Sequence, residues 1–226
     1  MTAPTAAGPA LRGQLMYIPD AFSDRDPNVL RDFIRDHPFA TLVSATPSGP
    51  LATHLPLDWA DGGPAAPGRL LGHVARANPQ WRAFDPGETC LAVFHGPHGY
   101  ISPSWYVSDS LVPTWNYAAV HITGTPRILT ASDEARSVLD RLVARFEGPR
   151  ATPWVNTLEA ELMEQLLEAI VVFEMPIARI EGKFKLGQNR SLPDQRASLA
   201  GLAAEDGDGP GTLAALTRAH LRTREA

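Results

Sequence analysis

Short runs of β character, separated by turns rich in glycine and proline, set the strongest limit on how this chain can fold. Phe39–Ser44 and Leu51–Leu57 flank the turn Thr46–Pro50, and this pattern predicts a β-hairpin. Further strands are predicted at Arg69–Ala75, Thr89–His95, His121–Leu129 and Val171–Ile180, with Pro126 marking an edge or a bulge. About six or seven strands with few helices between them favour a mainly β fold over alternating βαβ units. The sequence therefore predicts an antiparallel barrel with flanking helices.

Helical periodicity predicts the flanking elements. One helix begins near Asp26–Pro27 and ends at His37–Pro38, since proline suits the first turn of a helix and disfavours helical geometry at the residue before it. A second helix is predicted over Ser132–Glu147, with Ser132 as its N-terminal cap and apolar residues along one face. A third runs from about Thr157 to Ile170 with leucines at four-residue spacing, and a last one follows Gly211.

Composition and charge narrow the functional classes. Of the 226 residues, 44% are hydrophobic and 20% are charged, which is enough apolar material for one folded domain. A formal net charge of −5 argues against bulk electrostatic attraction to DNA or to an anionic membrane. Cys90 is the only cysteine, so an internal disulfide and a cysteine-based metal site are both excluded. No segment has the apolar length of a signal peptide or a membrane span, and the expected location is the cytoplasm.

The segment Phe94–Tyr117 mixes aromatic rings with imidazole, hydroxyl and amide groups more than a plain core strand requires. Its aromatic side chains include Tyr100, Trp105, Tyr106, Trp115 and Tyr117, and its polar side chains include His95, His98, Ser102 and Asn116. Aromatic faces bury a large area while their polar tips seek partners, and mostly apolar pockets with a few polar groups hold flat organic cofactors. The segment therefore predicts one wall of a cofactor site.

The segment Gly72–Arg82 places polar groups where a predicted strand ends in a loop. Arg76 offers a planar guanidinium suited to phosphate or carboxylate, and Asn78 and Gln80 add amide donors. These groups predict a mount for the anionic tail of a cofactor. A solvated turn is the alternative.

A second basic segment, Gly182–Arg190, follows the last predicted strand. Alternation places Lys183 and Lys185 on one face and Phe184 and Leu186 on the other. The segment predicts binding groups at a strand end, and a basic rim without a ligand is the alternative.

Three histidines, His54, His73 and His121, lie within runs of β character. A single strand histidine is usually a hydrogen-bonded core or rim residue, but neutral imidazole beside a cavity is also an axial ligand of heme iron. Histidine pairs at H-x-H or H-x-x-x-H spacing are missing, which argues against zinc. Ser102 and Ser104 lack a G-x-S-x-G elbow, so the sequence gives little support to serine hydrolysis.

These segments resemble the PaiB family, whose members are described as FMN-binding negative transcriptional regulators. The resemblance spans nearly all of residues 16–196. Its motifs, in chain order, are Met16–Pro19, Ala52–Leu57, Gly72–Arg82, Gly96–Ser102, Ser104–Tyr106, Val112–Tyr117, Val120–His121 and Lys185–Arg190. Several long matches in the same order make this resemblance specific.

The resemblance implies an FMN-binding split β-barrel, usually a homodimer with cofactor sites between its subunits. Together with the composition, it divides the chain into a flexible N-terminus at residues 1–15, a cofactor-binding domain at residues 16–190 and a polar, helical tail at residues 191–226. It extends also to piperazate synthases, which use heme to close an N–N bond in N5-hydroxyornithine. The cofactor is therefore expected to be FMN or, alternatively, heme b, because fold similarity does not decide chemistry.

Three functional hypotheses follow from the resemblance. The first is a flavin-binding redox protein, in which Arg76, Asn78 and Gln80 hold the phosphate and aromatic residues flank the ring. The second is a heme enzyme, in which His73 ligates the iron and Lys185 is a second axial or propionate-facing group. The third is a cofactor-sensing repressor. Direct DNA binding is disfavoured, because the charge is acidic and the sequence lacks a helix-turn-helix with a basic recognition helix.

The expected partners are a small-molecule substrate and a second copy of the chain, without a membrane. The residues expected to contact the cofactor are His73, Arg76, Asn78, Gln80, Trp81, Tyr100, Ser102, Trp105, Trp115, Asn116, Lys185 and Gln188.

Overall fold

The computed structural model describes residues 16–62, 68–84 and 87–225, and over these residues the chain forms a curled antiparallel sheet flanked by helices. The strands are β1 (Ser23–Asp24), β2 (Phe39–Thr46), β3 (Gly49–Pro56), β4 (Asp58–Ala60), β5 (Arg69–Ala75), β6 (Cys90–Ile101), β7 (Thr114–Gly124), β8 (Arg127–Ile128) and β9 (Ile170–Lys185). The helices are α1 (Pro27–Asp36), α2 (Ser132–Glu147), α3 (Ala160–Glu168), α4 (Leu192–Ala203) and α5 (Asp208–Glu225). Within the described ranges, each helix is too short or too polar to cross a bilayer.

The longest strand, β9, joins the two parts of the sheet. The strand order is β3-β2-β6-β7-β9-β5-β4, with β1 and β8 also paired to β9. The first half of β9 pairs with β5 and its second half pairs with β7. Thr123 lies opposite Arg179 and Gly124 lies opposite Ile177, so Ala178 is the extra residue of a bulge in β9. Bulges bend and twist a strand, and this one lies where the sheet curls.

The inner face of the curled sheet carries the main hydrophobic core. Leu42, Phe94, Ile122 and Phe173 come from four different strands and are completely buried. Helix α1 packs its buried apolar face, including Phe33, into the same cluster. Complete burial of a large apolar side chain stabilises the fold by about 1.5–3 kcal/mol, so this cluster is the principal source of stability.

A second apolar cluster lies on the opposite face of β5 and β9, beneath α2. Its buried members are Ala60, Leu71, Leu129, Val138, Leu142 and Val172. Asp58 of β4 is buried at the edge of this cluster and accepts hydrogen bonds from the guanidinium groups of Arg141 and Arg145 of α2. The carboxylate therefore fixes the helix to the sheet.

The structure confirms the predicted hairpin, the strand Arg69–Ala75 and the first two helices, and it corrects several boundaries. The strand predicted at His121–Leu129 is wrong in extent, because β7 begins at Thr114 and ends at Gly124. Pro126 lacks the N–H that would continue the ladder, and only Arg127–Ile128 resumes pairing. The strands predicted at Thr89–His95 and Val171–Ile180 each continue well beyond their predicted ends.

The helices also differ from expectation. Ala131 rather than Ser132 occupies the N-cap of α2, and no side chain caps it. Helix α3 is shorter than predicted and none of its residues is buried, so its leucine stripe does not face the core of this chain. Helix α4 was not predicted, because it buries polar residues instead of a regular apolar stripe. The last helix, α5, begins at Asp208. The predicted flexible residues 1–15 lie outside the described residues.

Helix α4 anchors the connection between β6 and β7. The carboxylate of Asp194 accepts hydrogen bonds from the backbone N–H groups of Val107 and Ser108, at 2.9 Å each, and from two serine hydroxyls. The N–H of Ser108, followed by the hydroxyl of Ser191, lowers the pKa of Asp194 to about 2. A charged carboxylate therefore holds this connection in place at neutral pH.

We expect Asp58→Ala to destabilise the protein by about 3–5 kcal/mol, because it leaves two arginines without the buried carboxylate that they share. Asp61→Ala is the matched control, since Asp61 also pairs with an arginine but is largely exposed. Its expected cost is below about 1 kcal/mol. Urea unfolding measures both free energies, and equal losses would contradict the anchoring role of Asp58.

We expect Asp194→Asn to destabilise the protein at neutral pH, with a difference from the wild type that shrinks in acid. The pKa of Asp194 is about 2 in the folded chain against 3.8 unperturbed, so its contribution is complete above about pH 4 and is lost towards pH 2. Urea midpoints measured from neutral pH down to about pH 3 test this expectation. Asp206→Asn, at an exposed position between α4 and α5, is the control and should show no such convergence.

Candidate functional site

Polar and aromatic side chains cover the outer face of β6, β7 and β9. In the register of these strands, His98 lies opposite Tyr117 and Tyr117 opposite Lys185. Two residues further along β7, Ala119 lies between His95 of β6 and Lys183 of β9. The outer-face patch is defined here as His95, His98, Trp115, Tyr117, His121, Lys183 and Lys185. These side chains share one face because β-strand side chains alternate.

A bulge in β6 brings two histidines of the patch onto the same side. Between His95 and His98 the strand advances three residues while β7 advances two, from Ala119 to Tyr117. Without the extra residue, alternation would turn His98 towards the core. On the inner side of this bulge, a side chain at Gly96 would overlap the ring of Phe33. Glycine therefore allows α1 to pack closely behind the histidines.

The patch borders an open cavity of about 420 Å³. This volume lies in the range of about 300–1,000 Å³ that is usual for small-molecule sites. The lining residues are Met16, His95, Gly96, His98, Trp115, Tyr117, Ala118, Ala119 and His121. The ring of Trp115 lies 5.7 Å from that of His98 and 6.5 Å from that of Tyr100, between ring centroids. The cavity thus presents aromatic and imidazole surfaces to a flat ligand.

Two lysines of β9 give one side of the patch a positive charge. Lys183 is only 8% exposed, donates a hydrogen bond to the carbonyl of Tyr17 at 2.8 Å, and lies 5.3 Å from the centres of the Tyr17 and Tyr117 rings. Lys185 donates to the hydroxyl of Thr114 and to the carbonyl of Trp115. Burial, with the nearby charge of Lys183, lowers the pKa of Lys185. An anionic ligand would relieve the repulsion between these cations.

His121 lies opposite Glu181 at the far end of the patch. Its Nδ1 is buried and has no hydrogen-bond partner among the described residues. Burial lowers the pKa of His121, and this effect outweighs the opposing influence of Glu181. The imidazole is therefore mainly neutral at pH 7 and can donate or accept a proton.

The residues predicted from Phe94–Tyr117 and Gly182–Arg190 come together near this end of the sheet, but only some face the cavity. Trp115 lines it, and Tyr100 and Lys185 lie beside Trp115. Asn116 is buried on the opposite face, and Gln188 folds back onto the backbone of Phe184 and Leu186. Ser102 and Trp105 line a neighbouring cavity of about 420 Å³ with Tyr100, next to α4.

The polar side chains of Gly72–Arg82 that were predicted to bind an anionic tail form hydrogen bonds within the protein. Arg76 donates to the carbonyls of Glu168 and Ile170, and Trp81 donates to the carbonyl of Arg76. Asn78 caps the short 3₁₀ helix Pro79–Ala83 and donates to the hydroxyl of Thr53. The side chain of Gln80 is completely buried and donates to the β2–β3 hairpin, including the carbonyl of Leu42. These contacts stabilise the loop and do not converge on the outer-face patch.

His73 pairs with the first half of β9, at the other end of that strand from the patch. It pairs with Val172 and shares its face of β5 with Leu71, beneath α2. Its Nδ1 is buried without a partner among the described residues, and burial lowers its pKa. Lys185 lies at the other end of β9 from Val172. The structure therefore does not bring His73 and Lys185 together.

The residues expected from the sequence to contact the cofactor did not include His121, Glu181 or Lys183. Each lies in a strand whose periodicity was visible, but only the register of β7 with β9 shows that they share a face with His95 and Trp115. Across the described residues, no group of three or more histidine, cysteine, aspartate or glutamate side chains is arranged to hold a metal ion.

Comparisons with known proteins identify the family of this chain. The sequence model of the family described as "Putative FMN-binding domain" matches residues 16–179. The chain is 35% identical over 209 residues to the Protease synthase and sporulation protein PAI 2 of Bacillus subtilis, covering 92% of this chain and 99% of the relative.

Two solved structures have a similar fold. The FAD and heme binding protein from Mycobacterium smegmatis matches with a TM-score of 0.59 and 19% identity, over 77% of this chain and 78% of that one. The flavocytochrome Anf3 from Azotobacter vinelandii matches with a TM-score of 0.58 and 14% identity, over 76% of this chain and 71% of that one. At these identities the likeness establishes the fold alone.

The family match covers most of the chain, and the similarity to the Bacillus subtilis protein runs along nearly the full length of both. The curled antiparallel sheet with its flanking helices is the architecture shared with the solved structures. The chain therefore belongs to the PaiB family of FMN-binding domains, and its fold is a split β-barrel.

Proposed function

We propose that this protein binds FMN on the outer-face patch and uses it for redox chemistry on a small molecule. The observation that carries the proposal is the cavity beside the patch, where aromatic and imidazole surfaces meet a pair of partly buried lysines. A flat ring system with an anionic tail matches both features. Membership of an FMN-binding domain family supports the same ligand.

Each part of the patch has a role in this proposal. Trp115 and His98 flank the ring, and Lys183 and Lys185 offset the charge of the phosphate. These lysines take the role that the sequence alone assigned to Arg76, Asn78 and Gln80. The buried, unpartnered Nδ1 of His121 is a polar atom that a bound ring or substrate would satisfy.

Bound FMN supplies reversible transfer of electrons or hydride. The chain's own contribution is to bind and orient the ring, to exclude water from one side of it, and to hold a neutral imidazole at His121. That imidazole is available to exchange a proton with a substrate.

We propose further that the site is completed by a second copy of the chain. Large aromatic side chains are exposed around the patch: Tyr17 is 82%, Phe39 is 64% and Trp115 is 53% exposed. The rings of Phe39 and His54 meet edge to face on the same outer face, with centroids 6.4 Å apart. Large aromatic side chains are enriched at interfaces between protein chains. A homodimer would cover these rings and close the open cavity.

Heme b is the second candidate cofactor, favoured by the three imidazoles of His95, His98 and His121 on the outer face. A structural neighbour is itself named as an FAD and heme binding protein. In this variant the axial ligand would come from the outer-face patch, since His73 lies beneath α2. A regulatory role, with a net charge of −5, would act through cofactor occupancy and not through direct DNA contact.

The absorption spectrum of the purified or reconstituted protein separates the two cofactors. We expect the paired bands of oxidised flavin, because the rings of Trp115 and Tyr117 beside the two lysines match a flat ring with an anionic tail. A strong Soret band after reconstitution with both cofactors would favour heme b. A protein that binds neither would contradict the proposal.

Trp115→Ala should weaken FMN binding by about tenfold or more, because aromatic stacking contributes roughly 1–3 kcal/mol per ring. Trp154→Ala is the matched control, since Trp154 is 47% exposed but lies outside the outer-face patch. Fluorescence titration of apoprotein with FMN measures both affinities. Equal affinities in the two variants would exclude Trp115 from the site.

Phe39→Glu should convert the dimer to monomer, because a carboxylate would be buried without a partner where the two outer faces meet. Val155→Glu is the control, at a position that is 70% exposed and precedes α3. Size-exclusion chromatography with light scattering measures the molar mass of each variant. A wild-type protein that is monomeric with FMN bound would contradict the shared site.

A further inference from the structure

A second cavity lies away from the outer-face patch, between α2, α3 and the first half of β9. Its volume is about 440 Å³, again within the range of about 300–1,000 Å³ for small-molecule sites. Ile128, Leu129 and Val172 give it an apolar floor, and Leu167 of α3 adds to the apolar surface. This cavity is separated from the patch by the length of β9, whose other end carries Lys183 and Lys185.

Four charged side chains line this second cavity. Arg76 and Arg136 are cationic, and Glu164 and Glu168 of α3 are anionic, so their formal charges sum to zero. In the described part of the chain, none of the observed ion pairs joins either arginine to either glutamate. In the described part of the chain, opposite charges thus border one cavity without forming an ion pair across it.

Arg76 is held in position at the wall of this cavity. Its Nε and Nη2 donate to the carbonyls of Glu168 and Ile170 at 2.5 and 2.6 Å. These bonds join the last residue of α3 to the first residue of β9 and engage two of the three guanidinium nitrogens. The remaining nitrogen has no partner among the described residues and can donate to a ligand. Because the guanidinium group of Arg76 is already held in place, ligand binding would cost little additional conformational entropy there.

We propose that this cavity binds a zwitterionic small molecule, a free α-amino acid with an apolar side chain. The carboxylate would accept hydrogen bonds from Arg76 and Arg136, whose planar donors match it. The ammonium would lie against Glu164 and Glu168, and the side chain would cover the apolar floor. A dianion or a polyamine matches one pair of charges only and would be repelled by the other pair.

Calorimetric titration of the full chain with L-leucine tests this proposal, with two blocked analogues as comparisons. N-acetyl-L-leucine lacks the ammonium and L-leucinamide lacks the carboxylate. Each should bind at least about tenfold more weakly than L-leucine, because each leaves one pair of charged side chains without a partner. Absence of heat from L-leucine at millimolar concentration would overturn the proposal. Equal binding of L-leucinamide would overturn the zwitterionic assignment.

Variants locate the site. Arg136→Gln and Glu164→Gln should each weaken L-leucine binding by about tenfold. The matched controls are Arg218→Gln on α5 and Glu161→Gln on the same helix as Glu164, and neither residue lines the cavity. The controls should bind L-leucine as the wild type does. Equal losses in Glu161→Gln and Glu164→Gln would overturn the site.

The flavin proposal and this proposal fail independently. All four variants should keep the wild-type affinity for FMN and the wild-type circular dichroism spectrum, because their positions lie outside the outer-face patch. A variant that keeps the wild-type circular dichroism spectrum but loses both ligands would contradict a separate site.

Discussion

The pairing of β9 with strands from both parts of the sheet is the constraint on which the rest of the structure depends. Its sixteen residues pair with β1, β5, β7 and β8, so the strand belongs to both parts. Before Ala178, odd-numbered residues such as Phe173 face the core, whereas after it even-numbered residues such as Phe184 do so. One bulge therefore keeps both halves of the strand packed on a single core while the sheet changes direction.

The same bulge decides what the outer face displays. Because Phe184 and Leu186 are fixed in the core, Lys183 and Lys185 must point outwards, opposite Ala119 and Tyr117. The bulge in β6 acts in the same way on His98. Both bulges act by setting the strand register. They place cations, imidazoles and aromatic rings together on paired strands, without the need for a binding loop. A site built on paired strands is rigid, which suits the positioning of a ring system.

The outer face departs from the usual distribution of residues, because it buries a lysine and exposes large aromatic rings. Lys183 is almost completely buried, and the structure supplies a carbonyl and two tyrosine rings as partners for its ammonium group. Trp115 and Phe39 stay exposed when a single chain folds, so their apolar surface remains in contact with water, which is unfavourable. An anionic ligand would pair with the buried lysine, and a second subunit would cover the exposed rings. The flavin site and the dimer interface are therefore parts of one proposal.

Much of the fold follows from the sequence, whereas little of the site does. The hairpin and α1 were predictable because local signals such as Thr46–Pro50 and Asp26–Pro27 fix them. The aromatic content of Phe94–Tyr117 predicted one wall of a site, and two of its residues, Trp115 and Tyr117, line the cavity. His121 and Lys183 could not be joined to that wall, because cross-strand register and bulges are tertiary properties. Gln80 has the chemistry of a ligand-binding amide, yet its burial beneath the hairpin is invisible locally.

The most direct test is a crystal structure of the protein reconstituted with FMN. We expect density for the ring over Trp115 and His98 and for the phosphate beside Lys183 and Lys185, with a second subunit covering the open side. Flavin density located only in the cavity between α2 and α3, or in a monomer with the outer-face patch left empty, would contradict the proposed site.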